Sequence, residues 1–565
     1  MKKLLKVIIP TILCISLLVP SAVSANAVSK HEETKAASQN NKRIVTYFPS
    51  WGTYQAGQQN ITVSDIAWDK VTHINHGFFE ITNDYKIQTT DSYADYENTG
   101  FGHGPKEDWD KYPSTGVPPG TVYGHFGEYK YYKEKYPDVK LLISVGGWTR
   151  SDKFHEVAKS AANRKTLAMS MVDFMKKYPF VDGMDIDWEY PGITRAPEDQ
   201  YDRGCVGGPE DKENFTLLLK DIRETFDANG MKDKLLTVAV SAGEAKIRNT
   251  EPDKYAQYVD YIGVMTYDYA GGWDNVTGHL AGMYQNPKDT TRPKFNMDDS
   301  MKIFRDDYNV PADKLLAGTP LYTRGWSGVE PGPNGDGLFQ SGSGKFDGNL
   351  GDGGQYSWYD VAALEKTGEW QKFRDPIART PYLYNKSKKQ FITYEDEESL
   401  IERVSYVNKN NYGGLIVWDA SGDNVKAGHT MHTIMYEGFK NNTIIIPPFE
   451  PEDFDQNRVV DILDLAMLST KYNKASGQQG FDVKFDLNKD NIIDLFDLVQ
   501  VAKKMPESNS GDDGGDQEVL PDTYDPTKGY EMNNEVVYGG KTYICQRWWV
   551  VGVTPGTDET VWKLK

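Results

Sequence analysis

At 565 residues the chain is longer than one hydrophobic core normally fills, so several domains are expected. Its formal charge of −19 opposes binding to nucleic acid or to an anionic membrane, and fits a neutral substrate or calcium. Three cysteines are too few for a disulfide scaffold: Cys14 lies in an N-terminal apolar run, and Cys205 and Cys545 fall in segments that read as separate domains.

The N-terminus carries Lys2, Lys3 and Lys6, an apolar run from Val7 to Val19, then "PSAVSANA" with small residues at Val23 and Ala25. This is the pattern of a secretory signal over residues 1–25, so a secreted, extracellular protein is expected. Residues 26–42 read as a flexible polar leader, and no later apolar run reaches the roughly 20 residues that span a bilayer.

From Arg43 to Lys440 strand-like runs recur: "RIVTYF", "VTHINHGFF", "VKLLISV", "FVDGMDIDWE", "LLTVAVS", "VDYIGVMTY", "LLAGTPLY" and "GGLIVWD". Helical spacing lies between several of them, as in Leu167, Met171, Phe174 and Met175, and in Phe215, Leu218, Leu219, Ile222 and Phe226, the latter closed by Gly230. Eight strands alternating with helices predict an α/β fold, a (β/α)8 barrel with long insertions; a doubly wound open sheet is the competing arrangement. The stretch 326–395 is too long for a simple crossover and is expected to be an inserted α+β subdomain. After residue 440 come a Pro-containing linker (441–450), a segment at 451–505, an acidic Gly-rich linker (506–518) and a final segment at 519–565.

"FVDGMDIDWEYPG" sets Asp185, Asp187 and Glu189 on one face of an otherwise apolar strand, with Asp182 on the other parity. At the C-terminal rim of a barrel such acids meet substrate, and carboxylates this close cannot all ionise independently, so one is expected to hold a proton. Here "DGMDIDWE" resembles the DGxDxDWE signature of family 18 glycoside hydrolases, the chitinases. "LLISVGGW", "VMTYDY", "PLYTRGW" and "GGLIVWD" resemble further strands of that family in the same order.

The resemblance implies hydrolysis of β-1,4 bonds in chitin and N-acetylglucosamine oligomers, with retention of configuration and the substrate's own N-acetyl oxygen as nucleophile. No cofactor is implied for catalysis. By motif, Glu189 would protonate the glycosidic oxygen and then activate water. Asp187 would hold the acetamido N–H, Asp185 would share a proton with Asp187, and Tyr267 would donate to the acetamido oxygen. Asp268, Met265, Tyr322 and Arg324 would line the site, Trp418 would form its floor, and Trp148 and Trp51 would stack sugars to either side. His73 and His76 sit on opposite faces of their strand, which argues for structural roles over a shared metal. Two other readings stand beside this one: an endo-acting hydrolase of N-glycan cores, and a non-catalytic chitin-binding lectin or assembly component.

"DFDQNRVVDILD" and "DLNKDNIIDLFD" repeat at an offset of 33 residues. Asp453, Asp455, Asn457, Asp461 and Asp464 in one, and Asp486, Asn488, Asp490, Asp494 and Asp497 in the other, occupy calcium-loop positions 1, 3, 5, 9 and 12. The pair resembles a type I dockerin, which implies Ca2+ and a cohesin domain as partner, although Arg458 and Asn491 stand where that pattern has Gly. The final segment resembles the family 5 and 12 chitin-binding modules, with Trp548, Trp549 and Tyr543 as its implied sugar-facing aromatics.

Overall fold

The computed structural model describes residues 42–98, 122–350, 354–425, 428–441, 451–452, 454, 460, 462–504, 522–523, 535–538, 541–545, 554 and 562–564. The chain divides into two units, Met1–Pro448 and Phe449–Lys565.

In the first unit eight strands pair in parallel: β1 (Arg43–Pro49), β2 (His73–Ile81), β3 (Lys140–Gly146), β4 (Gly183–Asp187), β5 (Leu235–Ser241), β6 (Tyr261–Met265), β7 (Leu315–Pro320) and β8 (Gly414–Trp418). Each pairs with its successor, and β1 pairs with β8 in the register Arg43↔Gly414 through Thr46↔Val417, which closes the sheet. The eight predicted strands are these eight, and closure excludes the open doubly wound sheet.

Alternation along each strand separates two cores. Ile44, Phe48, Val238, Leu415 and Val417 face outward among the helices. Val45, Tyr47, Ala239, Met265, Leu316 and Ile416 fill the barrel. Removing each such side chain from water contributes roughly 1.5–3 kcal/mol, set against the entropy of ordering it.

The helix Asp211–Ala228 turns Phe215, Leu218, Leu219, Ile222 and Phe226 inward and stops at Asn229, followed by Gly230 at φ 76°, a left-handed position that glycine takes without a Cβ penalty. The helix Glu397–Lys409 starts at an Asp396–Ser399 capping box. On its inner face Arg403 is fully buried, pairs with Glu395 at 2.8 Å and donates to the carbonyls of Gly318 and Ala281.

Between β7 and β8 lies an antiparallel sheet of four strands, in the order 371–375, 380–385, 390–393 and 324–326, with the helix Trp358–Lys366. Trp326, Tyr382, Tyr384 and Phe391 form one of its cores.

The second unit contains the helices Ile462–Ser469 and Leu495–Lys504, and a short antiparallel pair, Lys474–Ala475 with Ile492–Ile493. Phe454, Val460, Leu468, Phe485, Ile493 and Val501 form its core, with Phe454 and Phe485 ring centroids 4.5 Å apart. A four-stranded sheet made of 522–523, 535–538, 541–545 and 562–564 follows.

Candidate active site

The acidic strand becomes β4. Met184 and Ile186 join the outer core, while Asp185 and Asp187 point into the barrel and are buried. Asp182, of the opposite parity, lies outside and accepts from Lys133 Nζ at 2.6 Å.

Asp185 is held by three hydroxyls from neighbouring strands. Tyr47 on β1 and Ser144 on β3 each donate to Oδ2 at 2.8 Å, and Thr237 on β5 donates to Oδ1 at 2.6 Å. Burial raises its pKa, and these hydrogen bonds oppose the rise. Among the described residues Asp187 has no such support: its Oδ1 is buried without a hydrogen-bond partner. Burial, then the charges of Glu189 and Asp185, push its pKa well above the usual carboxylate range.

Glu189 stands just past the end of β4, half-buried, with its backbone N–H donating to Ser151 Oγ at 2.9 Å. Burial pushes its carboxyl up to about 7, opposed by a hydrogen bond from Tyr190 and by the charge of Lys246. The Lys246 ammonium sits 4.0 Å from the centre of the Tyr190 ring. A carboxyl titrating near 7 can both give and take a proton at neutral pH.

Around these acids the barrel mouth is aromatic. Tyr267 follows β6 and meets Tyr322 edge to face at 6.3 Å. Burial, then the charges of Asp187 and Glu189, keep the Tyr267 phenol protonated, hence a donor. Asp268, at φ 55°, receives Nε and Nη2 of Arg324, each at 2.9 Å, in a two-pronged pair. Met265 lines the same inner cluster as Tyr267 and Tyr322.

Trp418 ends β8 and lies nearly parallel to Phe78, centroids 5.6 Å apart. Trp51 stacks on the same Phe78 at 6.0 Å. Trp148 carries the Arg195 guanidinium over its ring at 3.8 Å. The positions expected from β3, β4, β6, β7 and β8 thus gather at one mouth.

Tyr47, Phe78, Tyr190, Lys246 and Arg195 also belong here, and the sequence reading passed over them. Tyr47 was findable, since it shares inward parity with Val45. Phe78 was not, because the β2–β3 ladder shifts register between His76 and Phe79. Tyr190 and Arg195 lie in loops and Lys246 in the short helix Glu244–Arg248 after β5, whose reach no strand periodicity gives.

His73 and His76 do face opposite sides. His73 meets Tyr261 edge to face at 5.4 Å inside the barrel, and His76 lies outside against Phe126.

In the second unit Asp486 and Asp497 are buried. Asp497 Oδ1 accepts from the N–H groups of Leu487 and Asn488, and Asp486 accepts from those of Asp490 and Asn491. Asn488 Nδ2 donates to Asp490 at 2.9 Å, and Asp494 caps the next helix by accepting from Phe496 N at 2.8 Å. Asn491 adopts φ 72°, the left-handed turn that glycine usually supplies at that position. Every side chain of this loop pattern offers hard oxygen, as calcium prefers. Among the described residues, the ligand groups that converge within 4.8 Å are His76–Asp95–His125 and Asp423–His429–His432, and the loop acids are not among them. Asp464 accepts from Phe454 N at 2.7 Å. Asp453, Asp455, Asn457, Asp461, Trp548, Trp549 and the signal segment lie outside the described residues. Tyr543 is half-buried in its strand, opposite Val536 and Leu564.

The family model for glycosyl hydrolases family 18 matches residues 43–423. Chitinase A1 of Niallia circulans is 34% identical over 465 residues, covering 75% of this chain, and the chain spans 62% of that protein's length. Chitinase 1 of Aphanocladium album is 32% identical, covering 66% of this chain and 80% of its own. Among solved structures, chitinase ChiA74 from Bacillus thuringiensis superposes with a TM-score of 0.60 at 30% identity, covering 72% of this chain and 70% of that one. The Ostrinia furnacalis Group IV chitinase in complex with allosamidin gives a TM-score of 0.60 at 26% identity, over 71% of this chain and all of that one.

Proposed function

The chain belongs to glycosyl hydrolases family 18, and from that premise we propose that it is a chitinase, cleaving β-1,4 linkages between N-acetylglucosamine units by a substrate-assisted, retaining route. One observation carries this reading: three acids stand in line at the end of β4, the outermost titrating near 7 and the middle one buried, its pKa pushed well above the carboxylate range and its Oδ1 unpartnered among the described residues.

Glu189 gives its proton to the glycosidic oxygen as the C1–O bond breaks, while the acetamido oxygen of the same sugar closes on C1. Asp187, turned toward that sugar, accepts the acetamido N–H and balances the oxazolinium cation. The proton on Asp187 passes to Asp185, whose three hydroxyl donors favour its carboxylate form and so leave it able to accept. Tyr267 donates to the acetamido oxygen and keeps it aimed at C1. Water then attacks C1, losing a proton to the Glu189 carboxylate and opening the ring, which leaves the β configuration intact.

The aromatic surfaces of Trp418, Trp51 and Trp148 suit the apolar faces of sugar rings. The Asp268–Arg324 pair and Tyr322 hold the polar rim. Purified protein incubated with N-acetylglucosamine oligomers should release product first as the β anomer by NMR. Glu189→Gln should abolish release while still binding the oligomers. Failure of the wild type on oligomers and chitin, with cleavage of N-glycan cores instead, would transfer the assignment to that substrate class.

The remaining modules extend this reading. Residues 1–25 direct export, 451–505 form a dockerin-like module that takes Ca2+ and docks a cohesin domain, and 519–565 bind chitin surfaces through Trp548, Trp549 and Tyr543. The loop Asp486–Asp497 supports the calcium assignment by its spacing and its oxygen donors. Tethering a surface binder to a hydrolase raises the local concentration of enzyme on an insoluble substrate.

A further inference from the structure

Behind the aromatic floor, on the outer side of β2, three buried groups meet: His76, Asp95 and His125, each no more than 1% exposed. Asp95 Oδ1 lies 3.2 Å from His76 Nε2 and 2.9 Å from His125 Nδ1, and the three atoms fall within 4.8 Å of one another. Among the described residues, these two imidazoles are the ion-pair partners of Asp95.

Proton bookkeeping makes the cluster unusual. Thr53 spends its single hydroxyl hydrogen on the Ile61 carbonyl at 2.8 Å, so toward His125 Nε2, 3.0 Å away, it can only accept. Across the ring, His125 Nδ1 is hydrogen-bonded to Asp95 Oδ1 at 2.9 Å. On the other side Nδ1 of His76 meets the Tyr129 hydroxyl at 3.1 Å, and Nε2 is buried without a hydrogen bond although Asp95 Oδ1 is near. Two ring nitrogens and a carboxylate oxygen thus converge, and among the described residues His76 Nε2 has no hydrogen bond of its own.

We infer that His76 Nε2, Asp95 Oδ1 and His125 Nδ1 form a binding site for a divalent transition metal of zinc-like preference. Two imidazoles with one carboxylate are a recognised zinc donor set, with a fourth position for water. Each imidazole is backed on its outer nitrogen by an oxygen, Thr53 for His125 and Tyr129 for His76, which is the arrangement that fixes tautomer and orientation in metal-bound histidines. The site has a structural task. Asp95 and His125 flank residues 99–121 in the chain, while His76 lies two residues before Phe78, on which Trp418 and Trp51 stack. A metal there would pin both flanks to the strand that carries the floor of the sugar site.

The test uses the full chain, stripped with a chelator that prefers zinc to calcium while calcium is held in excess, then titrated with zinc. Elemental analysis of the wild type should find about one zinc per chain beyond that retained by His125→Asn. Cobalt in place of zinc should give the visible absorption of a low-coordinate nitrogen–oxygen site. Tyr129→Phe, which keeps all three ligands, should weaken zinc binding roughly tenfold. Wild type that takes up no zinc, or that takes up as much as a folded His125→Asn, would overturn the site and leave a histidine–aspartate ion pair in its place.

Discussion

Glu189 is a half-buried acid whose proton leaves near neutrality, and this fixes the sign of a pH effect. The first step needs the protonated form, so kcat/KM should hold below about 7 and fall as pH rises through it, with an apparent value that belongs to the Asp187–Glu189 pair. Glu189→Gln should lower kcat by about 1,000-fold or more and erase that alkaline limb. Lys246 holds the Glu189 pKa down by its charge, so Lys246→Met should move the limb to higher pH, and an unmoved profile would remove Lys246 from this role. Arg324 grips Asp268 with two nitrogens at 2.9 Å, a fork that an ammonium cannot reproduce. Arg324→Lys should therefore raise KM for oligomers about tenfold while changing kcat less.

At the level of strands and helices, the site depends on close backbone approaches. Gly146 ends β3 at φ 111°, and a Cβ there would lie 2.2 Å from the Asp187 carbonyl oxygen. Gly146→Ala should cost about 2–3 kcal/mol in chemical unfolding and displace the acidic strand. Arg403 joins its helix to β7 and to the inserted sheet, and Arg403→Met strands the Glu395 carboxylate in the interior at about 3–5 kcal/mol. The eight barrel strands were legible because each is an apolar run whose two faces are both buried, and the acids stood out because charge on such a run needs a reason. Tyr267, Asp268 and Arg324 were legible through motif resemblance. Phe78 was hidden by the register shift in β2, Tyr190 by loop geometry, and Lys246 by the placement of the short helix Glu244–Arg248. His125 and Asp95 were hidden more deeply, since nothing local in "YGHFGEY" or "YADYEN" announces that tertiary packing brings them to His76.

On the proposed reading the chain is an enzyme with two accessory modules, and each has its own expected behaviour. Withdrawing calcium from the full protein should make the stretch 451–504 the first to be cut by a nonspecific protease, with the fragments mapped by mass spectrometry; an unchanged cleavage pattern would remove calcium from that module. Trp548→Ala with Trp549→Ala should weaken pull-down on crystalline chitin at least several-fold. The barrel itself closes between its two ends: β1 pairs with β8, and Lys42 reaches the Tyr412 carbonyl across 370 residues of sequence. A ribosome adding roughly 5–20 residues per second takes on the order of tens of seconds to cover that distance. Throughout that interval the first strand has an open edge and the pocket lacks Trp418, so the nascent chain must shelter the edge before the last strand emerges. A truncation just short of Gly414 would make that waiting state permanent, with every catalytic acid present and no barrel to hold them.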